Sequence, residues 1–394
     1  MDVKAHWLSG RPMQALLCFE DLEGDAFTVC AAGPASEALA RSTEQGHGLS
    51  LPEIARQLAA PLFRGAAPVP LQPVRVKKAW GEEVWFTGIE ARGVVGAGTA
   101  AAAVPLPWLL AARPDAYGGG APILVKVLAA SAETGDLYFE VHREKDEVYV
   151  VIDVHPDAWP DGRARMRYGF NPQLQAKLGE RAFRAAFERT ARADARALRA
   201  LADDHGGEHP SPRAAYLSSA CGTRARLERF TNLRGLQPGD VVRVPAGLPH
   251  GLMRGVRVIE FQTPSYERRV LYANQPLAPE DGLALGDALS DVRMDVPADP
   301  RPAVTATAPG VRAACIARTR EFHVHRFELR AGATTPLPRA RYGVLVGASG
   351  SPVCAGTLLA PEQAALLSGE ALLQPLQAGK EDAVVLLAIP KGCS

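Results

Sequence analysis

The sequence predicts a mainly β protein of the sandwich or jelly-roll kind, with one helical insertion. From Val74 onward, short runs rich in β-branched and aromatic residues follow one another: VRV, EVWFTGI, ILVKVLA, LYFEVH and EVYVVIDV. Turn-forming residues, such as Thr134-Gly135-Asp136 and Lys145-Asp146, separate the later runs. Many short strands divided by turns are typical of a β-sandwich or a jelly roll.

A change in periodicity indicates the helical insertion. One apolar stripe at helical spacing runs through a segment rich in arginine, glutamate and alanine. The stripe consists of Leu174, Leu178, Phe183, Phe187, Leu198 and Leu201. Only Gly179 interrupts it before His205-Gly206-Gly207. Because the arginines are interleaved with acidic residues, we interpret the polar side as a solvated helix face rather than an anion-binding patch.

We expect five segments along the chain. They are an N-terminal extension (1–67), the first part of a β domain (68–164), the helical insertion (165–215), the second part of that β domain (216–275) and a C-terminal β domain (276–394). The extension contains Ser50 and Glu53, spaced as the N-cap and N3 residues of a short helix.

The composition restricts the classes of protein to consider. The chain has 394 residues, of which 47% are hydrophobic and 22% are charged, with a formal net charge of +1. This balance gives no electrostatic reason to expect a nucleic acid or a membrane as partner. The N-terminus lacks a signal-peptide pattern, and the six scattered cysteines include no Cys-x-x-Cys pair. We therefore expect a soluble, cytoplasmic protein.

The most specific motif lies at residues 239–250, GDVVRVPAGLPH. Gly239 opens a valine-rich strand, and the tight turn of Pro245 and Gly247 then directs His250 inward. This segment resembles the second motif of the cupins, which consists of a glycine, any five residues, Pro-x-Gly, any two residues and a histidine. Agreement at every fixed position argues against a chance hairpin with a surface histidine.

A second motif lies upstream at residues 140–147, EVHREKDE. Because side chains alternate along a strand, Glu140 and His142 share a face. A turn follows, and Glu147 returns beside them on the next strand. The segment resembles the first cupin motif, His-x-His followed by Glu, with Glu140 in the place of the first histidine. Together with the downstream histidine, it suits Zn²⁺ or another divalent metal.

Two other histidine motifs compete with this assignment. Asp153-Val154-His155-Pro156 also places a histidine two residues after an acidic residue. However, no Lys-x-Glu-aromatic run follows it at a suitable distance, as Lys145 to Tyr149 follows His142. His323-Val324-His325 is not followed by Pro-x-Gly-x-x-His, so we expect a structural or surface role for it. Glu140 and His142 are therefore the favoured pair.

Around these motifs the chain resembles the type I phosphomannose isomerases of the cupin superfamily, from about Pro70 to Tyr272. Four segments resemble patterns of the family. APILVKVLA is similar to P-L-L-x-K-x-L-x-A, and KDEVY is similar to K-x-E-x-W/Y. VVRVPAGLPH is similar to V-x-x-I-P-A-G-x-x-H, and VIEFQ is similar to V-x-E-I-Q. The resemblance implies cupin jelly-roll (double-stranded β-helix) domains.

The resemblance also implies the site residues. The metal ligands would be Glu140, His142, Glu147 and His250. The catalytic residues would be Arg269, which stabilises negative charge, Lys145 near the pocket mouth, and Glu260 as an acid or base. Arg268 takes the place of Arg269 if the alignment shifts by one residue.

The implied activity is a metal-dependent interconversion of mannose 6-phosphate and fructose 6-phosphate through an enediol. The expected partner is therefore a small phosphorylated sugar. The chain departs from the family at Glu140, where the family has Gln, and at Tyr266, where it has Asp; the hairpin before Glu147 is also far shorter. A related isomerase with a different substrate is one alternative, favoured by Glu140. A metal-binding cupin without catalysis is the other, and Tyr266 favours it.

Overall fold

The structure is a computed structural model that describes residues 2–4, 15–21, 23–44, 49–90, 93–133, 135–204, 223–273, 285–298 and 302–392. These residues form a mainly β protein, as the sequence predicts. The chain divides into two compact units. The first comprises Met1–Arg75, Val84–Lys126 and Arg301–Ser394, and the second comprises Val76–Glu83 and Val127–Pro300. No helix in the described part of the chain is long and apolar enough to cross a membrane.

The strands are β1 (Asp2–Lys4), β2 (Ala15–Glu20), β3 (Ala26–Ala31), β4 (Phe63–Arg64), β5 (Val69–Gln72), β6 (Val74–Lys78), β7 (Gly81–Trp85), β8 (Gly96–Thr99), β9 (Ala102–Pro105), β10 (Leu124–Ala130), β11 (Phe139–Val141), β12 (Glu147–Val154), β13 (Ala164–Phe170), β14 (Thr231–Leu236), β15 (Val241–Val244), β16 (His250–Leu252), β17 (Val256–Gln262), β18 (Arg269–Tyr272), β19 (Ala303–Ala308), β20 (Val311–Arg318), β21 (Phe322–Leu329), β22 (Thr334–Thr335), β23 (Tyr342–Ser349), β24 (Val353–Cys354), β25 (Thr357–Leu358), β26 (Ala364–Ser368), β27 (Leu376–Gln377) and β28 (Ala383–Pro390). The helices are α1 (Pro34–Glu44), α2 (Leu51–Gln57), α3 (Leu106–Ala112), α4 (Pro114–Tyr117), α5 (Pro172–Leu178), α6 (Glu180–Asp204), α7 (Thr223–Glu228), α8 (Leu285–Ser290) and a 3₁₀-helix (Ala371–Leu373).

The second unit is a sandwich of two β-sheets. One sheet has the strand order β15-β12-β17-β10-β7-β6, and the other has the order β14-β13-β16-β11-β18. Side chains from both sheets meet in one apolar core, which includes Tyr149 and Val258 from the first and Met166 and Leu252 from the second. Removal of these apolar faces from water stabilises the sandwich.

Helices of the insertion cover the other face of the five-stranded sheet. The ring of Phe170 on β13 lies 5.1 Å from Phe183 and 5.0 Å from Phe187, both on α6, in edge-to-face geometry. Phe139 and Val141 of β11 belong to the same buried cluster. Because side chains alternate along a strand, the residue between those two faces the interior of the sandwich.

The expected helical insertion (165–215) contains two helices and most of strand β13. α5 and α6 lie in it, and Gly179, with a φ of 75°, separates them. Residues 165–170 form most of strand β13 instead. Met166 and Tyr168 lie in the sandwich core, and Phe170, which follows a register shift after Arg167, lies in the cluster on the helix side. His205-Gly206-Gly207 lies outside the described residues.

The first unit contains three further sheets. A nine-stranded sheet has the order β19-β20-β21-β28-β23-β26-β5-β8-β9, and a four-stranded sheet has the order β22-β27-β24-β25. Leu345, Leu387 and Leu376 lie in the core that these two sheets share. The third sheet, β1-β2-β3-β4, lies in the N-terminal segment. There the predicted capping box is confirmed, since Ser50 donates its backbone N–H to the Glu53 carboxylate at 2.8 Å.

Candidate metal centre

Two adjacent strands of the five-stranded sheet bring the two motifs together. β11 and β16 are antiparallel, and their register places Glu140 directly opposite His250. In His250, Nδ1 lies 3.0 Å from the backbone oxygen of Leu248, which leaves Nε2 directed at the candidate site. This contact orients the ring, as a backbone carbonyl does for many metal-binding histidines.

The turn before β16 supports the upstream motif. Leu248 donates its backbone N–H to Pro245 at 3.1 Å, and Gly247 donates its N–H to the backbone oxygen of His142 at 2.6 Å. Gly247 has a φ of 81°, and a Cβ there would lie 3.0 Å from the backbone oxygen of Asp291. Both the left-handed conformation and the lack of space require glycine at this position.

Four side chains converge inside the sandwich, close to one end of the core. The Nε2 atom of His142 lies 3.2 Å from Oε1 of Glu147, and Nε2 of His250 lies 3.1 Å from its Oε2. Oε1 of Glu140 lies 3.7 Å from Nε2 of His142. One possible ligand atom from each of Glu140, His142 and His250 falls within 4.8 Å of the others. The structure thus brings together all four residues expected from the sequence.

The donor atoms of this cluster fit a metal ion. Both ring nitrogens of His142, Nε2 of His250 and Oε2 of Glu140 are buried, and none of them makes a hydrogen bond within the described residues. Buried polar atoms without partners are costly, so natural proteins rarely keep them without a ligand. Two imidazoles and two carboxylates form a donor set that Zn²⁺ accepts.

Electrostatics favours the ligand forms of two of these residues. Burial alone would raise the pKa of Glu147, but the charge of Lys145 and the interaction with His142 hold it well below its usual range. Burial, followed by the charge of Lys145, lowers the pKa of His142. In His250 burial acts in the same direction, but the adjacent Glu147 carboxylate outweighs it and raises the pKa. Glu147 is therefore ionised and His142 neutral at neutral pH.

Lys145 and Tyr149 hold the two oxygens of Glu147. The Nζ atom of Lys145 lies 2.7 Å from Oε1, and the Tyr149 hydroxyl donates a hydrogen bond to Oε2 at 2.6 Å. Both side chains are buried. Sequence reasoning identified Lys145 but missed Tyr149, although strand alternation places residues 147 and 149 on the same face. The two donors fix the position of the central carboxylate.

Glu267 and Asp291 hold the short hairpin between the two ligand strands. The Glu267 carboxylate accepts hydrogen bonds from the backbone N–H groups of Arg143 (2.8 Å) and Glu144 (3.2 Å). The Asp291 carboxylate accepts from Nε of Arg143 at 3.0 Å. A carboxylate that binds two consecutive N–H groups restrains the backbone, so these contacts fix the residues that follow His142.

Comparisons with known proteins agree with this geometry. No family model matches the sequence, and no curated protein is similar to it at the sequence level. Solved structures do resemble it. Mannose 6-phosphate isomerase from Bacillus subtilis matches 82% of this chain and 99% of its own, with a TM-score of 0.58 and 16% identity. A phosphomannose isomerase mutant from Salmonella typhimurium matches 83% of this chain and 100% of its own, with a TM-score of 0.59 and 14% identity. The chain has the cupin fold of the phosphomannose isomerases.

A third solved structure, a zinc-bound mannose 6-phosphate isomerase, is similar to this chain to the same degree. It covers 83% of this chain and 100% of its own, with a TM-score of 0.59 and 16% identity. The cupin jelly roll predicted from the sequence motifs is therefore confirmed. The TM-scores of 0.58 and 0.59 establish the phosphomannose isomerase fold. Because the identities are only 14–16%, the chemistry of this chain has to be argued from its own residues.

Glu260 lies on the interior face of the sandwich. Strand β17 pairs with β12 so that Glu260 is opposite Tyr149. Val258, two residues earlier on the same face, belongs to the core between the sheets. The Glu260 side chain is only 2% exposed, and its charge is one of the causes that raise the pKa of Tyr149 well above its usual value, after burial and the charge of Glu147. A third carboxylate, besides those of Glu140 and Glu147, thus lies on the interior face opposite Tyr149.

Arg269 is bound to acidic side chains at the start of β18. Its Nη1 atom lies 2.7 Å from Oδ2 of Asp291 and donates to the backbone of Asp287 at 3.2 Å. The register places Arg269 opposite Val141, a residue of the helix-side cluster, whereas Glu140 is opposite Val270 of the sandwich core. The structure therefore brings Arg269 to the hairpin that Asp291 holds, on the opposite side of the strand from Glu140.

Arg268, the alternative to Arg269, has a different environment. Its guanidinium lies 4.9 Å from the ring centroid of Tyr138, a residue of the sandwich core. Alternation places Arg268 on the same side as Val270. Of the competing histidines, His155 is exposed and lies 3.7 Å from the Asp157 carboxylate.

Proposed function

We propose that this protein is a metal-dependent aldose–ketose isomerase that interconverts mannose 6-phosphate and fructose 6-phosphate through an enediol. The observation that carries the proposal is the convergence of Glu140, His142, Glu147 and His250 on one buried point within the phosphomannose isomerase fold. The names of two similar solved structures, both mannose 6-phosphate isomerases, support this choice of substrate.

The four converging residues would hold Zn²⁺ or another divalent metal. When bound, such an ion polarises and orients the sugar oxygens. Burial of the two histidines and Glu147, each about 1% exposed, excludes water from one side of that site. The Glu140 side chain, at 18% exposed, lies toward solvent and therefore marks the side from which a sugar would enter.

The remaining chemistry is proton transfer between two adjacent carbons. We assign the acid–base role to Glu260, because a buried carboxylate on the interior face can hold a proton next to a sugar. Lys145 keeps Glu147 ionised and lies 2.7 Å from it, so it can also donate a hydrogen bond to a sugar oxygen as that oxygen gains charge.

Arg269 is proposed to stabilise the negative charge that develops during turnover. Its guanidinium is bound to Asp291 at 2.7 Å, on the side of β18 opposite to Glu140, so it takes this role only by leaving Asp291 and turning toward the substrate. Arg268 is the second candidate for the same role, since it lies on the core side of the strand. The two arginines can be separated experimentally.

A related sugar isomerase with a different substrate is the second candidate function. The observation that favours it is Glu140, which brings a second carboxylate to the metal where the family has a neutral glutamine. The added negative charge would lower the ion's ability to polarise a carbonyl. A substrate whose carbonyl needs less polarisation would suit this site better than mannose 6-phosphate.

The test is a coupled assay for fructose 6-phosphate with purified protein and mannose 6-phosphate, before and after chelation. We expect turnover that a chelator abolishes and Zn²⁺ restores, with one equivalent of metal per chain. His250→Ala should lose both metal and turnover, whereas His155→Ala, which removes an exposed histidine, should keep both. One bound metal with no turnover of mannose 6-phosphate would exclude this substrate and favour the second candidate. If the wild-type protein bound no metal, the proposal itself would fail.

A further inference from the structure

One end of the nine-stranded sheet in the first unit carries four basic side chains close together. Arg318 at the end of β20 is directly opposite His323 on β21, and His323 is in turn opposite Ile389 on β28. His325 follows two residues after His323 on the same face, and Lys391 follows two residues after Ile389. These side chains belong to neither the metal centre nor its hairpin.

The face they share is the one that covers the core of this unit. Phe327, Leu387 and Ile389 continue it along β21 and β28, and all three lie in the apolar cluster between the two sheets. The basic residues therefore occupy the position where the apolar core ends. Arg318 and Lys391 are exposed, while His325 is only 8% exposed.

No acidic residue in the described part of the chain neutralises these four groups. Within the described chain, none of their side chains has an ion-pair or hydrogen-bond partner, and Nε2 of His325 is a buried nitrogen without one. The other end of the same strands differs. There Arg312 forms an ion pair with Glu328 at 3.2 Å, and Arg330 forms one with Asp382 at 2.5 Å.

The uncompensated charge affects the histidines. Burial, followed by the charges of His323 and Arg318, lowers the pKa of His325 to about 4. Burial, followed by the charges of Arg318 and Lys391, lowers the pKa of His323. These effects agree with the strand register in placing the four groups near one another, in a region of positive potential that an anion would relieve.

We propose that Arg318, His323, His325 and Lys391 form a binding site for a small oxyanion of the phosphate class. The guanidinium offers a fork of donors that matches two oxygens of phosphate, and the ammonium adds a point charge. A neutral imidazole contributes one N–H donor, and the buried ring of His325 is held in place before the anion arrives. This site is separate from the proposed metal centre and independent of the proposed function.

The test is a titration of full-length protein labelled with ¹³C-histidine, followed by NMR at constant ionic strength. Inorganic phosphate is the first probe, and glycerol 3-phosphate is the second, which separates the free ion from a phosphate ester. We expect saturable shifts of the His323 and His325 signals with at least one of the two. The signals are identified by their loss in His323→Gln and His325→Gln. The same titration in His250→Ala excludes an effect relayed from the metal centre.

Matched variants decide the outcome. Arg318→Ala should weaken the apparent affinity about tenfold or more, because a charged hydrogen-bond donor is lost. Arg312→Ala, on the same strand but paired with Glu328, should leave it unchanged. Lys391→Ala gives a second, independent loss. Shifts that do not saturate, or equal affinity in Arg318→Ala and Arg312→Ala, would overturn the proposal.

Discussion

Glu140 and His250 are direct cross-strand neighbours, although 110 positions separate them in the sequence. The backbone pairing of β11 with β16 therefore fixes the position of the first proposed ligand relative to the last. A change of charge at Glu140 therefore acts on the metal without moving the strand. This makes Glu140 the position at which the electrostatics of the site can be tested most directly.

Glu140→Gln should loosen the metal and keep or raise mannose 6-phosphate turnover. Gln binds through a neutral carbonyl oxygen, so the ion loses an attractive charge but polarises a sugar oxygen more strongly. We expect a fall in Zn²⁺ affinity of roughly tenfold to a hundredfold, measured by competition with a chromophoric chelator. Loss of turnover with metal still bound would contradict the plain phosphomannose isomerase interpretation and assign Glu140 to different chemistry.

The same variant should alter the pH dependence of metal binding. Protons compete with the metal for the nitrogens of His142 and His250, so affinity falls as the pH decreases. The pKa of His250 is raised, mainly by Glu147 acting against burial, so its protonation begins at a higher pH than in a free histidine. Wild-type protein should lose affinity more steeply than Glu140→Gln between pH 7 and 5, because the charge of Glu140 is one of the causes that raise the pKa of His142 and of His250. Parallel curves would exclude Glu140 as a charged ligand.

Tyr149→Phe should weaken metal binding while leaving the fold intact. The hydroxyl donates to Oε2 of Glu147 at 2.6 Å, and its loss frees the central carboxylate to rotate. A loss of such an outer partner costs roughly tenfold to a hundredfold in metal affinity. Tyr168→Phe is the matched control, because Tyr168 is also buried in the sandwich core and donates to the Arg243 backbone at 2.6 Å.

Both tyrosine variants should lose about 1 kcal/mol of the free energy of unfolding in urea, the usual net contribution of one hydrogen bond. Only Tyr149→Phe should lose metal affinity. Equal metal affinity in the two variants would show that Tyr149 has a structural role alone.

The proposed ligands could be predicted from the sequence because they depend on local rules. Strand alternation places Glu140 and His142 on one face, and the Pro-x-Gly turn fixes His250. The same alternation rule would have identified Tyr149. The helical period likewise predicted α6, whereas residues 165–170 were assigned to the helical insertion and belong to strand β13 instead. That strand depends on pairing with β14 and β16, which local periodicity does not reveal.

The surroundings of the site depend on contacts between distant residues. Glu267 binds the hairpin from 124 positions away, and Asp291 binds Arg143 from 148 positions away. No local pattern around Glu267 or Asp291 indicates these contacts. The environment of Arg269 follows from them, because Asp291 is shared between two arginines. Sequence resemblance could therefore name Arg269 but not its partners.

Arg167→Met should destabilise the second unit strongly. Arg167 is 2% exposed and binds Asp136 at 2.8 Å and Glu228 at 2.7 Å. Its removal leaves the buried Asp136 carboxylate without that cation, which costs roughly 3–5 kcal/mol of unfolding free energy. Arg312→Met, which breaks only an exposed pair, should cost less than about 1 kcal/mol in the same urea titration. A loss below about 1 kcal/mol for Arg167→Met would mean that Asp136 is satisfied by its other contacts.

Arg269→Ala should lower kcat strongly while leaving metal content unchanged. Its guanidinium touches none of the four proposed ligands, and Asp291 keeps Arg143 as a partner, so the hairpin stays closed. We expect a loss of roughly a hundredfold or more, as for other groups that stabilise charge in a transition state. Arg268→Ala is the matched variant, since it removes the adjacent arginine on the core side of the strand. Full turnover in Arg269→Ala together with loss in Arg268→Ala would transfer the role to Arg268, and full turnover in both would exclude this strand as the source of the charge.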